Sequence, residues 1–139
     1  EIPGRAFRPS EEAVRLSIAD AVGRAARQAA EDLDAAALIT PTVSGYTARV
    51  MSRYRPQASI IAVTPNPEVQ RRLMLHWGVV PLLAPRADNS DEMIERAVET
   101  AQTQGLVKEG DTLVITAGAA RSEPGTTNLM RIYVVGEKE

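Results

Sequence analysis

Short apolar runs alternate along the chain with segments in which apolar residues recur every three or four positions. Four runs are typical of buried strands, at 36–40, 59–64, 79–83 and 111–118, and a fifth, "LMRIYVV", lies at 129–135. The helical spacing between them predicts helices at about 10–33, 44–54, 67–77 and 90–104. Alternating β and α elements predict the α/β class, with a mostly parallel sheet in a three-layer α/β/α sandwich.

Residues with known terminal preferences mark the ends of two of these helices. Asn66 is an expected N-cap, Pro67 suits the first helical position, and Gly78 is an expected stop. Asn89 and Glu92 have the spacing of a capping box. The third helix is therefore expected to continue as far as Gly78.

The last strand is reached by a different kind of connection. The segment "AARSEPGTTN" has no helical pattern and is rich in turn-forming residues. Since a parallel crossover normally needs a dozen or more residues and a helix, we expect an antiparallel strand at the edge of the sheet.

Composition restricts the possible functions. A chain of 139 residues with 44% apolar residues suits one domain, and its net charge of −2 provides no general attraction to nucleic acid or to an anionic membrane. The absence of cysteine and the single histidine, His76, exclude disulfides and cysteine or multi-histidine zinc sites. No apolar run approaches the roughly 20 residues of a membrane span. We expect a cytoplasmic protein.

Three of the predicted parallel strands end in threonine: Thr40, Thr64 and Thr116. Ligands of open α/β sheets bind beyond the carboxyl ends of the strands, where the strand order reverses. If the first and fourth strands are neighbours at that reversal, the loops "TPTVSGYT" and "AGAARSEPGTT" face each other across one crevice.

The segment "TPTVSGYT" offers hydrogen-bond donors to an anion. The first turn of the second helix has unpaired N–H groups and a partial positive charge of about +0.5. Thr42, Ser44 and Thr47 add hydroxyls, and Gly45 would let the chain approach a phosphate closely. The alternative is that Thr42 or Ser44 only caps the helix. A nucleophilic serine is not favoured, because the G-x-S-x-G pattern is absent and His76 lies at the far end of the third helix.

Other polar or aromatic residues have a structural interpretation. His76 and Trp77 are expected in the last turn of the third helix, packed on the sheet. Five arginines could steer an anion but are more typical of solvated helix surfaces: Arg49, Arg53, Arg55, Arg71 and Arg72. The acidic cluster of Glu31, Asp32 and Asp34 lacks the spacing of a metal site.

Four long segments carry a resemblance to one family: "TPTVSGYTARVMSRYRPQASIIAVTPN", "RRLMLHWGVVPLL", "DEMIERAVETAQTQGLVKEGDTLVITAG" and "EPGTTNLMRIYVV". In order and spacing they resemble the carboxyl-terminal, regulatory domain of bacterial pyruvate kinases, over nearly all of residues 10–136. The resemblance implies a five-stranded mixed sheet of order 3-2-1-4-5 with an antiparallel fifth strand. Residues 1–9 would be a linker or lead, and 10–139 the domain.

The resemblance also implies which domain of the parent protein carries out catalysis. Phosphoryl transfer from phosphoenolpyruvate to ADP in glycolysis, with its Mg²⁺ and K⁺, belongs in this family to a separate barrel domain. This chain is therefore expected to have no cofactor, metal or catalytic residue of its own. It would act as an effector-binding and subunit-assembly domain, excised from a longer protein. The alternative is a free-standing phosphate-binding protein or enzyme that reuses the fold.

The candidate effector residues come from matching the family's allosteric site to this sequence. A phosphate would bind at the turn formed by Thr42, Val43, Ser44, Gly45, Tyr46 and Thr47. A loop containing Gly118, Arg121, Gly125, Thr126 and Thr127 would fold over the ligand. Relatives that bind fructose 1,6-bisphosphate often have basic residues where this chain has Val43, Tyr46 and Met93, and Glu123 opposes a second negative group. We therefore expect a sugar monophosphate or nucleotide monophosphate.

The resemblance finally implies an assembly mode, because pyruvate kinases are tetramers whose carboxyl-terminal domains meet at a two-fold interface. The strand at 129–135 is apolar, Arg131 is its only charge, and an edge strand leaves one row of backbone groups unpaired. We expect a homodimer through helix 10–33 and strand 129–135. The barrel domain of the parent protein is the second expected partner.

Overall fold

The computed structural model describes residues 11–118 and 127–137, with side chains from residue 18 onward. Within these ranges the helices are α1 (Glu11–Leu33), α2 (Tyr46–Arg53), α3 (Pro67–Leu73) and α4 (Ser90–Thr103). The strands are β1 (Ala37–Pro41), β2 (Ser59–Thr64), β3 (Val79–Leu83), β4 (Thr112–Ala117) and β5 (Leu129–Val134). The predicted lead at 1–9 lies outside the described residues.

The five strands form one mixed sheet in the order β3-β2-β1-β4-β5. Strands β1 to β4 run parallel to one another, and β5 is antiparallel to β4. In the register, Leu38 of β1 lies level with Ile60 of β2 and Val114 of β4. The predicted fold class, strand order and antiparallel edge are confirmed.

Alternation along the central strands divides the core into two layers. Leu38, Ile60 and Val114 pack with buried residues of α1, α2 and α3. Their neighbours in sequence, Ile39 and Ile61, point to the opposite face and pack with α4. Because both faces are covered, the strands are continuous apolar runs, as expected for a parallel sheet.

Helix α3 is shorter than predicted. It ends at Leu73, and the amides of Met74, Leu75 and His76 then donate to carbonyl oxygens three residues earlier, at 3.1–3.3 Å. These tighter turns replace the last α-helical turn, so the prediction that His76 and Trp77 belong to a helix packed on the sheet was wrong. Trp77 is 46% exposed instead.

The predicted helix starts are confirmed for α3 and in part for α4. The Asn66 side chain accepts hydrogen bonds from the amides of Glu68 and Val69, with Pro67 at the first helical position. The Asn89 side chain accepts from the Glu92 amide at 2.8 Å. The Glu92 carboxylate accepts from Arg96 at 2.8 Å, an ion pair one helical turn away.

The length and hydropathy of the helices bear on whether one of them could cross a membrane. Among the helices described, none combines the length and the apolar character that crossing a bilayer requires.

Candidate functional site

The reversal of strand order lies between β1 and β4, as the sequence suggested. The chain leaves β1 to build β2 and β3 on one side, whereas β4 and β5 extend the sheet on the other side. At such a reversal the carboxyl ends of the two neighbouring strands border a crevice, in which open α/β sheets bind their ligands. The candidate site is therefore at the carboxyl ends of β1 and β4, beside the start of α2 and the described residues Gly118 and Thr127.

Helix α2 begins at this crevice without a side-chain cap. Gly45 is the N-cap residue, in the left-handed region at φ 85°, and its carbonyl accepts the first intrahelical hydrogen bond, from the Arg49 amide at 3.0 Å. The hypothesis that Thr42 or Ser44 is the N-cap was wrong, because neither occupies that position. The amides of Thr47 and Ala48 precede the first intrahelical donor, so the helix provides no partner for them.

The two hydroxyls before the helix stabilise the turn as acceptors. Thr42 Oγ1 accepts from the Gly45 amide at 2.8 Å, and Ser44 Oγ accepts from the Tyr46 amide at 3.2 Å. A hydroxyl that accepts a hydrogen bond still has its own O–H to donate. Shaping the turn and donating to an anion are therefore compatible roles for Thr42 and Ser44.

Gly45 has a packing role that sequence reasoning missed. A Cβ placed there would lie 3.2 Å from Val69 Cγ1 and 3.2 Å from Leu73 Cδ2, both on α3. The glycine thus lets the start of α2 pack closely on α3, in addition to its positive φ. The close approach of Gly45 to a phosphate stays a prediction.

Thr47 connects the two loops of the crevice. Its hydroxyl and that of Thr127 are hydrogen-bonded to each other, and the two residues are 3% and 7% exposed. Thr127 is two residues before β5, so this contact joins the first turn of α2 to the entrance of the edge strand. The structure brings together one residue from each of the two predicted groups.

The remaining candidate residues are placed around this contact. Val43 is 40% exposed, Tyr46 is half-buried, and the Gly118 carbonyl accepts a hydrogen bond from Ser90 Oγ at 2.9 Å. Arg121, Gly125 and Thr126 lie outside the described residues. Ser90 was not a candidate, because its position at the start of α4 becomes relevant only once β4 is known to end beside it.

One cation lies on α2 near the turn. The Arg49 guanidinium sits over the Tyr46 ring, 5.9 Å from its centroid. The three-residue spacing of Tyr46 and Arg49 on a helix was the signal for this pairing. Across the crevice, Arg131 of β5 is already paired with Asp91 of α4 at 2.9 Å.

The three strand-terminal threonines are completely buried, each at 0% exposure. Thr64 Oγ1 accepts from the Asn66 amide at 3.2 Å, and Thr116 Oγ1 contacts the Met51 sulfur at 3.8 Å. Thr40 Oγ1 has no hydrogen-bond partner among the described residues. The three strand ends are therefore buried polar positions, with one hydroxyl unsatisfied by the described part of the chain.

The acidic and histidine side chains do not converge on a metal site in the part of the chain whose side chains are described. Among residues 18–118 and 127–137, no group of three or more of them is arranged to hold a metal ion. The donors around the crevice are hydroxyl and amide groups, which suit an anion.

The comparison with known proteins is consistent with this architecture. The family model described as pyruvate kinase, alpha/beta domain, matches residues 20–133. The pyruvate kinases of Bacillus licheniformis and Geobacillus stearothermophilus are each 50% identical to this chain, over 124 and 123 residues respectively, which is 89% and 88% of the chain. The pyruvate kinase of Lactobacillus delbrueckii subsp. bulgaricus is 41% identical over 128 residues, or 92% of the chain.

These alignments cover only a small part of the relatives themselves. The matched segment is 21% of the first two proteins and 22% of the third, so the chain spans about a fifth of their length. The family match covers most of the chain, with the sheet order and the crevice both inside it. This chain therefore belongs to the family of the pyruvate kinase alpha/beta domain.

Proposed function

We propose that this chain is the effector-binding and subunit-assembly domain of a pyruvate kinase polypeptide and that it performs no catalysis alone. The observation that carries the proposal is the hydrogen bond between Thr47 and Thr127. It holds the uncapped start of α2 against the approach to β5 at the point where the strand order reverses. An anion bound there would contact both loops.

The chemistry of the crevice suits one phosphate. The amides of Thr47 and Ala48 are free of intrahelical bonds, and the O–H groups of Thr42 and Ser44 remain available for donation. The helix dipole adds a partial positive charge of about +0.5 at the same position. Together these groups can satisfy the terminal oxygens of a phosphate monoester without a metal ion.

A second phosphate would be poorly neutralised. The resemblance places basic residues of relatives that bind fructose 1,6-bisphosphate at the positions of Val43, Tyr46 and Met93, and all three residues are uncharged here. Among the described residues, Arg131 is held by Asp91, and Arg49 is the cation on the first two turns of α2. We therefore propose a sugar monophosphate or a nucleotide monophosphate as the effector, in preference to fructose 1,6-bisphosphate.

The assembly role is assigned to the free edge of β5. The Val135 amide donates to the Asp111 carbonyl on the β4 side at 2.9 Å. Along an antiparallel strand, the backbone N–H and C=O groups of successive residues point alternately towards the paired strand and away from it. The groups of Tyr133 and Arg131 therefore also point to β4, and those of Ile132 point away from it. Within the described residues, Ile132 therefore presents an N–H and a C=O at the edge of the sheet without a strand partner.

The side chains beside this edge are apolar. Met130 and Ile132 are 39% and 45% exposed, and they lie on the α1 face of the sheet because Tyr133 packs on the α4 face. Ile18 of α1 is 44% exposed. A second copy related by a two-fold axis could pair its β5 with this one and cover both apolar strips.

Titration calorimetry tests the effector assignment. Ribose 5-phosphate, glucose 6-phosphate, AMP, inorganic phosphate and fructose 1,6-bisphosphate are titrated into the wild-type chain and into a Ser44→Ala, Thr47→Ala double variant. We expect a monophosphate to bind more tightly than the bisphosphate. The double variant should bind at least tenfold more weakly, since it loses the Ser44 hydroxyl donor and the contact of Thr47 with Thr127 that holds the two sides of the site together. Tighter binding of the bisphosphate contradicts the proposed ligand class.

A matched control is provided by the other end of the same helix. Ser52 is also on α2, but its hydroxyl donates to the Trp77 carbonyl at 2.6 Å, near the opposite edge of the sheet. A Ser52→Ala variant should therefore keep wild-type affinity for the monophosphate. Equal losses in Ser52→Ala and in the double variant would show a general loss of structure and would refute the assignment of the site.

A further inference from the structure

Helices α2 and α3 carry an unbalanced positive charge. Residues 44–78 contain one acidic residue, Glu68, and five arginines: Arg49, Arg53, Arg55, Arg71 and Arg72. This segment therefore has a net charge of +4, and the rest of the chain has −6, which together give the overall −2. We call the five arginines the arginine face. Most of the chain repels an anion, and this one region attracts it.

The arginine face lies on one side of the molecule, because α2 and α3 are neighbours that pack on the same face of the sheet. A Cβ at Gly45, the N-cap of α2, would lie 3.2 Å from Leu73 Cδ2 of α3. Near the other end of α2, Ser52 Oγ donates to the Trp77 carbonyl, just beyond α3, at 2.6 Å. Four of the five arginines are exposed and Arg49 is half-buried, so their charges reach the solvent on this side.

Carboxylates do not neutralise these charges in the described part of the chain. Ion pairs are formed there by four other arginines: Arg24, Arg27, Arg96 and Arg131. Among the same residues, no arginine of the arginine face belongs to an ion pair, although Glu68 lies one helical turn before Arg72. Arg49 and Arg55 instead lie over aromatic rings, which leave the charge of a guanidinium uncancelled. The positive field of this side therefore extends into the solvent.

The arginine face borders the proposed effector turn. The Arg49 amide donates to the Gly45 carbonyl at 3.0 Å, so Arg49 lies one helical turn from the N-cap of α2. Leu73, whose side chain lies beside Gly45, directly follows Arg71 and Arg72 in the sequence. The arginines of α3 are therefore close to the same N-cap although they belong to a different helix.

We propose that the arginine face steers the anionic effector into the crevice and raises its association rate, with Arg71 and Arg72 acting at a distance and not as ligand contacts. The inference rests on the proposed function, because a monophosphate is the anion to be steered. A phosphate monoester has a charge of about −1.5 to −2 at pH 7, and the chain as a whole is also negative. Positive charges beside a cleft raise the local concentration of such a ligand and its rate of association.

Arg71 and Arg72 isolate the steering effect, because neither belongs to the effector turn. Removing two charges at about 12 Å from a phosphate dianion in water should lower the association rate constant about fivefold at 0.01 M salt. At 0.15 M salt the Debye length is about 8 Å, and the loss should shrink to about twofold. The dissociation rate constant should stay unchanged, since no contact with the bound ligand is lost.

Phosphorus NMR line shapes measure both rate constants. AMP and ribose 5-phosphate are titrated separately into the wild-type chain and into an Arg71→Gln, Arg72→Gln variant, each at 0.01 M and 0.15 M salt. The association rate constant of the wild type should fall more steeply with salt than that of the variant. Equal association rate constants at 0.01 M salt would overturn the proposal. A loss of affinity caused by faster dissociation alone would also overturn it, because that result makes the two arginines ligand contacts.

Arg96 and Lys108 provide the matched control. Arg96 is paired with Glu92 on α4, and Lys108 is exposed in the turn before β4, so both lie away from α2 and α3. An Arg96→Gln, Lys108→Gln variant therefore makes the same change in net charge at other positions. Its association rate constant should fall by less than about twofold at 0.01 M salt, because the removed charges are more distant from the crevice. Equal losses in the two variants would show an effect of net charge alone and would refute steering by the arginine face.

The steering proposal and the effector assignment fail in different ways. If neither AMP nor ribose 5-phosphate binds the wild-type chain, the effector assignment is contradicted and steering with it. If a monophosphate binds and Ser44→Ala, Thr47→Ala weakens it, the effector assignment is supported. An unchanged association rate constant in Arg71→Gln, Arg72→Gln would then contradict steering alone.

Discussion

The hydroxyls of Thr47 and Thr127 are hydrogen-bonded to each other although the two residues are 80 positions apart in the sequence. One belongs to the first turn of α2 and the other to the approach to β5, and both are buried. Their contact joins these two segments where the strand order of the sheet reverses. It therefore links the proposed effector turn to the strand proposed for assembly.

Replacing either threonine by valine keeps the shape and removes the hydroxyl. We expect Thr47→Val or Thr127→Val to lower the free energy of unfolding by about 1–3 kcal/mol, since each leaves a buried hydroxyl without its partner. Urea unfolding measures the change. The Thr47→Val, Thr127→Val double variant should lose less than the sum of the two single losses, because no hydroxyl is then left unpaired.

A strictly additive double variant would show that the two hydroxyls do not interact. Thr100, a half-buried residue on α4 outside the crevice, provides a reference position for the same substitution. The losses of unfolding free energy caused by Thr47→Val and by Thr100→Val should add when the two changes are combined.

Gly45 can be tested against a second glycine. Gly45→Ala introduces a Cβ at φ 85° and within 3.2 Å of both Val69 and Leu73. Gly105→Ala introduces one at φ 76° with no atom within 4 Å. Both variants should lose about 1 kcal/mol from the positive φ, and Gly45→Ala should lose a further 1–3 kcal/mol or so from overpacking. Equal unfolding free energies for the two variants would contradict the packing role of Gly45.

The comparison of sequence and structure shows which elements were predictable. Strands such as β2 and β3 are solid apolar runs between turn residues, and their predicted bounds agree with the structure. The third helix was extended too far because Met74, Leu75 and Trp77 continue an apolar pattern. In the fold these residues are exposed, and periodicity cannot distinguish a buried apolar position from an exposed one.

The site was predicted less completely than the fold. Strand-end positions located the crevice, because topology alone determines where the carboxyl ends of β1 and β4 lie. The pairing of Thr47 with Thr127 depends on tertiary contacts between distant segments, which no local pattern encodes. The proximity of Gly45 to α3 was hidden for the same reason. Arg121, Gly125 and Thr126 remain predictions.

Tyr54 provides a pH-dependent test of the contact between α1 and α2. Its hydroxyl donates to Asp20 Oδ1 at 2.6 Å, and this hydrogen bond, together with burial, raises the pKa of Tyr54 above its ordinary value of 10.0. A raised pKa means that the protonated tyrosine stabilises the fold. This contribution is fully present below pH 10.0 and is lost as the pH rises through the higher folded pKa.

Tyr54→Phe should therefore lower the free energy of unfolding by about 1 kcal/mol at neutral pH. The difference in unfolding free energy between Tyr54→Phe and the wild type should decrease above pH 10.0, where the wild-type hydroxyl deprotonates. Urea unfolding from pH 7 to the alkaline limit of reversibility measures this. A difference that stays constant, or grows, through the alkaline range would contradict the role of the hydrogen bond.

The isolated chain should not transfer phosphate. It spans about a fifth of the length of its pyruvate kinase relatives, and the family resemblance assigns the chemistry to the separate barrel. A coupled assay with phosphoenolpyruvate, ADP, Mg²⁺ and K⁺ should give no turnover above a blank without protein. ATP formation proportional to the concentration of the chain would favour the alternative of a free-standing enzyme.

The edge of β5 gives the final prediction. Ile132 pairs in register with Val114, and its backbone groups point away from β4, as deduced from the hydrogen bond between the Val135 amide and Asp111. Ile132→Pro removes an outward amide donor and leaves the ladder with β4 complete. Sedimentation over a wide concentration range should show dimers of the wild-type chain that dissociate in the variant. Tyr133→Pro, which removes an amide facing β4, should instead destabilise the monomer. An Ile132→Pro variant that unfolds like the wild type but no longer associates therefore places the interface at the outward edge of β5. A wild-type chain that is monomeric at every concentration contradicts the proposed assembly.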